Sequence, residues 1–207
     1  MLLEEMSNAE YSRTMLPYSG ALKYLNTRLE TVTETLAAEG LENPIEHVKF
    51  RLKSVESISR KLERKGLEPT VENAKAHVDD IAGMRIVCSF PRDICRIAAC
   101  IRKQLDIKVA RVKDYIRNPK ENGYRSYHMH TVVPVYMADR LEEVKVEIQI
   151  RTVAMDFWAT LEHKMRYKRT NEFTAALNDS LHECAVIAYE LDEKMQALDE
   201  DIRRHYD

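Results

Sequence analysis

The stretch Leu141 to Arg151, read as LEEVKVEIQIR, constrains the fold more than any other. Val144, Val146, Ile148 and Ile150 alternate with Lys145, Glu147, Gln149 and Arg151. A period of two places successive side chains on opposite faces, so this is a β-strand with one apolar and one polar face. Such a strand needs neighbours and a helical cover for its apolar side. Its other side is a row of ionic and amide groups. An antiparallel sheet open to water on one face accounts for that row, and so does a surface that holds a charged ligand.

Three further segments carry strand chemistry. HVDDIAGMRIVCSF is rich in β-favouring residues from Ile81 to Phe90. Ile107 to Ile116 sets Arg111, Lys113 and Tyr115 on one face. Tyr127 to Tyr136 is the third, with Pro134 marking an edge or a bulge. The hydrophobic pattern thus yields four strands. Around them the steps of three and four predict helices. One runs from about Ser19 through Leu22, Leu25, Leu29, Val32 and Leu36 to Gly40, behind a frayed polar segment 1–17. Pro44 opens a short helix, and Val48, Leu52, Val55, Ile58 and Leu62 form one stripe ending at Gly66. Others follow Pro69, Pro91 and the capping residue Thr152. The last, Glu172 to Arg204, carries a heptad-like seam of Leu177, Leu181, Cys184, Ala188, Leu191, Met195, Leu198 and Ile202. That seam is longer than a small sheet can cover and is read, with the first helix, as contact with another copy of the chain.

Composition removes several classes. Across 207 residues the formal net charge is -2, so the chain is no polycation built to bind DNA by charge alone. Its four cysteines form no CxxC pair and no zinc-finger spacing with histidine, which predicts reduced thiols. No apolar run is long enough to span a membrane, and a cytoplasmic protein is expected. Walker, Rossmann, HExxH and GxSxG signatures are all missing. What remains is two carboxylates near strands, Asp80 and Glu147, set among arginines and lysines. Carboxylates that hold Mg²⁺ beside cations that grip phosphate are what phosphoryl-type transfer requires. Between two strands lies NPKENGYRSYH, from Asn118 to His128, with Lys120, Tyr124, Arg125 and His128 around Gly123. Cations, an aromatic ring and a flexible bend suit a flat, anionic ligand.

These stretches, in this order, resemble the small alarmone synthetases of the RelA/SpoT superfamily. RLKSVESISRKL resembles that family's Arg-x-Lys-Ser motif, and DDIAGMRIV its Asp-Ile-x-Gly-x-Arg strand. KDYIRNPKENGYRSYH resembles its guanine loop, and EIQIRT with FWATLEHKMRYK its closing motif. The likeness runs from about Pro44 to Lys168. It implies an α+β fold: a mixed, mostly antiparallel sheet of about five strands flanked by helices, nucleotidyltransferase-like, with long N- and C-terminal helices. The implied division is 1–43 as tail and oligomerisation helix, 44–168 as catalytic domain and 169–207 as a C-terminal oligomer contact. The implied reaction moves the β,γ-pyrophosphate of ATP to the 3′-hydroxyl of GDP or GTP and releases AMP, with synthesis and no hydrolysis.

The resemblance also implies roles. Asp80 and Glu147 would be catalytic and hold Mg²⁺, Glu147 alternatively activating the hydroxyl. Arg51 and Arg85 would sandwich the ATP adenine, with Lys53, Ser54, Arg111 and Lys113 on its phosphates. Asn118, Lys120, Asn122, Tyr124, His128 and Gln149 would hold the guanine nucleotide, Tyr124 by stacking. The expected assembly is a homotetramer or dimer through the terminal helices, with no membrane or DNA partner. His130 is assigned a structural role on the strand face opposite His128. The bulky Phe50, beside Arg51, stands where product-activated relatives have a small residue, which implies weak or absent activation by product. Two other readings compete: a toxin-like relative that pyrophosphorylates tRNA 3′ ends, and a non-catalytic nucleotide- or RNA-binding oligomer.

Overall fold

The computed structural model describes residues 1–167 and 174–206. Its elements run α1 (Asn8–Ala38), β1 (Ile45–Leu52), α2 (Val55–Glu63), α3 (Val71–His77), β2 (Ala82–Cys88), α4 (Pro91–Lys103), β3 (Lys108–Asp114), β4 (Tyr127–Tyr136), β5 (Leu141–Thr152), α5 (Val153–Tyr167) and α6 (Ala175–Tyr206). The strands form one five-stranded sheet in the order β1-β2-β5-β4-β3. All neighbours pair antiparallel except β2 and β5, which are parallel. The sheet is therefore mixed and mostly antiparallel.

The alternation in β5 decides which face is which. Val144, Val146, Ile148 and Ile150 are buried, together with Met84 and Ile86 of β2 and Met129 and Val133 of β4. Leu22, Leu25 and Leu29 of α1 and Ile94, Ile97 and Ile101 of α4 close over them to form one core. Burying each such side chain stabilises the fold by roughly 1.5–3 kcal/mol. β4 and β5 join through a tight turn in which Met137 N–H donates to the Arg140 carbonyl at 2.8 Å. Pro134 pairs with Glu143 of β5, but β3 stops pairing at Val132, so the proline faces an open edge.

Two elements differ from the sequence expectation. The stretch Ile45–Leu52 is the fifth strand and not a helix. Val48, Leu52 and Val55 fall at helical steps, but this edge strand buries no complete face, so its periodicity carries no strand signal. Pairing of Arg51 with Gly83 and of Lys49 with Arg85 decides the matter. The helix begins later, where the Ser54 hydroxyl accepts from Ser57 N–H. The second difference is at the N-terminus. α1 starts at Asn8, where Ser7 and Glu10 form a capping box: the Ser7 hydroxyl accepts from Glu10 N–H at 3.3 Å, and the Glu10 carboxylate accepts from Ser7 N–H at 2.9 Å. Met15 and Tyr18 are buried, and Leu3 is 2% exposed against the core. The apolar stripe of α1 is thus spent on the chain's own sheet.

α6 behaves differently. Leu181 and Ala185 are buried, whereas Leu191, Met195, Leu198 and Ile202 stand 50–58% exposed. The expected boundary at 168/169 lies outside the described residues. No helix among the described residues is long and apolar enough to cross a membrane. The inner face of α6 is tied to the end of β5. Asp192, only 6% exposed, accepts a hydrogen bond from the Thr152 hydroxyl. That hydroxyl also caps α5 by accepting from Met155 N–H at 3.1 Å.

Burial pushes the Asp192 carboxyl up to about 6, despite the Thr152 hydrogen bond. A carboxyl raised on folding contributes stability at low pH that is lost as pH rises through the folded value. Asp192→Asn keeps the acceptor and removes the charge. It should raise the urea midpoint at about pH 8, and the gain should vanish toward about pH 4.

Candidate active site

Sheet register lines the polar face with two rows of side chains. One row crosses all five strands as Arg51, Gly83, Glu147, His130 and Arg111. The adjacent row is Lys49, Arg85, Gln149, His128 and Lys113. Strands about 4.8 Å apart make each row roughly 20 Å long, the span of a nucleotide pair. Gly83 puts no side chain between Arg51 and Glu147. A cavity of about 250 Å³ opens there, lined by Arg51, Asp80, Gly83, Arg85, Glu147 and Gln149 among others. It adjoins a larger one of about 710 Å³ lined by Arg51, Lys53, Ser54, Ser57, Arg60 and Arg64. Arg51 borders both.

Asp80 lies in the turn before β2, so its distance in sequence from Arg85 does not matter: the strand starts after it. Lys53 Nζ and Lys61 Nζ each donate to one of its oxygens, both at 2.7 Å. Burial opposes ionisation, but these two ammonium groups outweigh it and hold Asp80 below the usual carboxylate range. Glu147 sits at 3.2 Å from His128 Nδ1 and accepts from Gln149 Nε2 at 2.8 Å. Burial again works against the anion, yet His128 and Gln149 bring its pKa down to about 2. Both carboxylates are therefore anions at neutral pH. His130 lies 3.9 Å from Glu147. It is on the same face as His128, not the opposite one, because residues two apart on a strand point the same way. Its Nδ1 and the Arg85 Nε are buried without a hydrogen-bond partner.

The loop Asn118–Ser126 closes the β3–β4 side. The Tyr124 hydroxyl meets His128 Nε2 at 2.8 Å and accepts from Arg151 at 2.6 Å. Arg151 stacks against the ring at 5.1 Å, and Lys120 Nζ lies 4.7 Å from it. Asn122 braces the loop by accepting from Tyr124 N–H and donating to Glu162, each at 3.2 Å. Asn118 is exposed at the start of the loop, its N–H on the Asp114 carbonyl. Arg111 is drawn to the side, 3.7 Å from Asp79.

Three contributors carry no clear signal in the sequence: Lys61, Arg151 and Asp156. Lys61 is one of several cations on α2, and only its approach to Asp80 singles it out. Arg151 ends the polar alternation of β5 but is 4% exposed, with Asp156 at 3.2 Å. Asp156 also pairs with Arg85 at 3.0 Å. This buried carboxylate fixes two guanidinium groups behind the cavity.

Among the described residues no cluster of three or more His, Cys, Asp or Glu could cage a metal ion. Asp80 and Glu147 are instead two ionised carboxylates on one cavity, and ammonium groups already occupy the cation positions around Asp80. That donor set suits Mg²⁺, which takes one or two carboxylates and completes its shell with water and phosphate.

Comparison with known proteins agrees with this site. The model of the region found in RelA / SpoT proteins matches residues 50–172. GTP pyrophosphokinase YwaC of Bacillus subtilis is 46% identical over 93% of this chain and 92% of its own length. The crystal structure of B. subtilis small alarmone synthetase 1 bound to its product pppGpp superposes with a TM-score of 0.86 at 34% identity, covering 94% of this chain and 99% of that one. The same protein bound to AMPCPP gives 0.78 at 31% identity, covering 95% and 99%.

The ion pairs around Asp156 should differ in worth. Arg151→Met leaves a buried carboxylate short of a partner and should cost about 3 kcal/mol in urea unfolding. Lys49→Ala, at the exposed end of the same carboxylate, should cost under about 1 kcal/mol.

Proposed function

Because the chain belongs to the RelA/SpoT family, we propose that it is a GTP pyrophosphokinase that makes (p)ppGpp from ATP and GDP or GTP. The observation that carries this is the pair of cross-sheet rows. They gather Arg51, Arg85, Glu147, Gln149, His128, Arg111 and Lys113 on one face, with Asp80 at the mouth of the cavity.

On this reading the donor occupies the cavities around Arg51, with Arg51 and Arg85 on the adenine. Lys53 and Ser54, at the start of α2, take its phosphates, as does the basic end of the polar face. Guanidinium and ammonium groups grip phosphate oxygens without having to be assembled during the reaction. The acceptor lies against the loop, its base on Tyr124 and its ribose and phosphates near Gln149, His128 and Lys120. The acceptor 3′-oxygen forms a bond to the β-phosphorus of ATP as the bond to the α-phosphate oxygen breaks. AMP leaves, and the hydroxyl proton passes to Glu147 and from there to solvent. Asp80 and Glu147 would hold Mg²⁺, which when bound neutralises charge on the transferring phosphates. Glu147 would also orient or activate the acceptor 3′-hydroxyl, from its place on the same cavity as Asp80. Aligning the two substrates should supply much of the acceleration.

A homo-oligomer is part of the same proposal. The exposed Leu191, Met195, Leu198 and Ile202 of α6, with Phe157 and Met165 of α5, offer an apolar face suited to a second copy. Phe50 lines a separate cavity with Lys23, Asn26 and Arg51 between α1 and β1, and its bulk beside Arg51 is the basis for expecting weak product activation.

Incubation with Mg²⁺, ATP and GDP or GTP should release AMP and a guanosine bearing 3′ and 5′ phosphates, resolved by anion exchange. Asp80→Asn and Glu147→Gln should each lower the rate by at least about 10²-fold. Full activity in either variant, or no AMP, would refute the proposal. Added pppGpp should change initial rates by less than about twofold, against the five- to 150-fold or so that typical allosteric coupling gives.

A further inference from the structure

The acceptor loop is held from two sides: Tyr124 bonds to the sheet through His128 and Arg151, and the loop backbone also rests on α6, through residues that the reaction scheme leaves unassigned. Trp158 and Ala159 of α5 with Leu181 and Ala185 of α6 form a small buried cluster apart from the main core, and Tyr124 packs against it. Gly123 has φ of +85°, and a Cβ built there would lie 2.5 Å from the Ala185 Cβ. Two constraints thus require glycine at once: the backbone conformation and the closeness of the helix. His182 Nδ1 lies 3.2 Å from the Glu121 carbonyl.

Arg125 completes the attachment. Its place in a basic nucleotide loop would suit it to phosphate, yet its guanidinium is committed elsewhere. It donates to the Ile116 carbonyl at 2.5 Å, and its carbon sits 4.0 Å from the centre of the Tyr189 ring. Tyr189 is half-buried on α6. Arg125 therefore links the start of the loop to the helix, next to the residue that faces the site, Tyr124.

We propose that Tyr189, acting through Arg125, is a positioning residue for the guanine nucleotide: it locks the loop onto α6 so that Tyr124 is presented at a fixed height above the polar face. This rests on the reading of the loop as the acceptor site. Loss of the contact leaves the two cavities around Arg51 untouched, since their lining comes from β1, β2, β5, α2 and the Asp80 turn, and Arg111 and Lys113 keep their places through the pairing of β3 with β4. The defect belongs to acceptor affinity and alignment alone.

Steady-state kinetics on the full chain with ATP and GDP tests this. Tyr189→Ala should raise the KM for GDP by roughly tenfold and leave the KM for ATP within about twofold. Tyr189→Phe keeps the ring and should restore wild-type values. Arg125→Met removes the same contact from the loop side and should reproduce the Tyr189→Ala pattern, so the test does not depend on one variant. Tyr124→Ala serves as the reference. If Tyr124→Ala raises the KM for GDP while Tyr189→Ala and Arg125→Met do not, the positioning role is overturned and the acceptor reading stands. If Tyr124→Ala raises the KM for ATP instead, the acceptor reading falls and the proposal with it. Equal rises in both KM values for Tyr189→Ala, without rescue by Tyr189→Phe, would mark the contact as merely structural.

Discussion

The polar face of the sheet depends on the register between β2 and β5, its parallel pair. That register sets Gly83 opposite Glu147 and Arg85 opposite Gln149. A slip of β2 by one residue would turn its core residue Met84 outward and bury Arg85. The apolar face enforces the register, because Val146, Ile148 and Ile150 are wholly buried under α1 and α4. Core packing and site geometry are thus set by the same alternation, read from opposite sides of the sheet.

The charges are managed by sharing. Asp80 has two ammonium partners, and Asp156 serves Arg151, Arg85 and the more distant Lys49. A lone buried carboxylate costs several kcal/mol, and a paired one much less. Each anion here also fixes the direction of the cations around it. Arg85 keeps a buried Nε–H without an acceptor. An unpaired buried donor costs stability, and such exceptions gather where a structure serves a site.

Legibility in the sequence followed how completely an element's burial matches its period. β5 is buried on one face and reads without ambiguity. β1 is an edge strand with little buried on either face, so three apolar residues at helical steps outvoted its true pairing. The start of α1 is written in Ser7 and Glu10, whose spacing is that of a capping box, but the mainly polar segment 1–17 reads as a frayed end. For the site, the residue types carrying a local pattern were readable: the polar half of β5, the Asp80 turn and the glycine loop. Contacts across long sequence separations were not. Nothing in α6 announces that Tyr189 meets Arg125, or that Ala185 is small because Gly123 lies against it. The face of His130 is fixed by spacing alone, since residues two apart on a strand point the same way.

The sheet's two margins have a consequence for how copies of the chain can meet. Edge strands left bare invite another strand to pair with them. Here β1 carries Glu46, His47, Lys49 and Arg51 along one margin, and β3 carries Lys108, Arg111 and Lys113 along the other. Where β4 runs past the end of β3, Pro134 supplies no N–H to a newcomer. Charge and a missing donor thus close the sheet to lateral growth on both sides. Any stacking of chains is left to side-chain packing between helices, which forms and dissolves without extending a backbone ladder toward fibres.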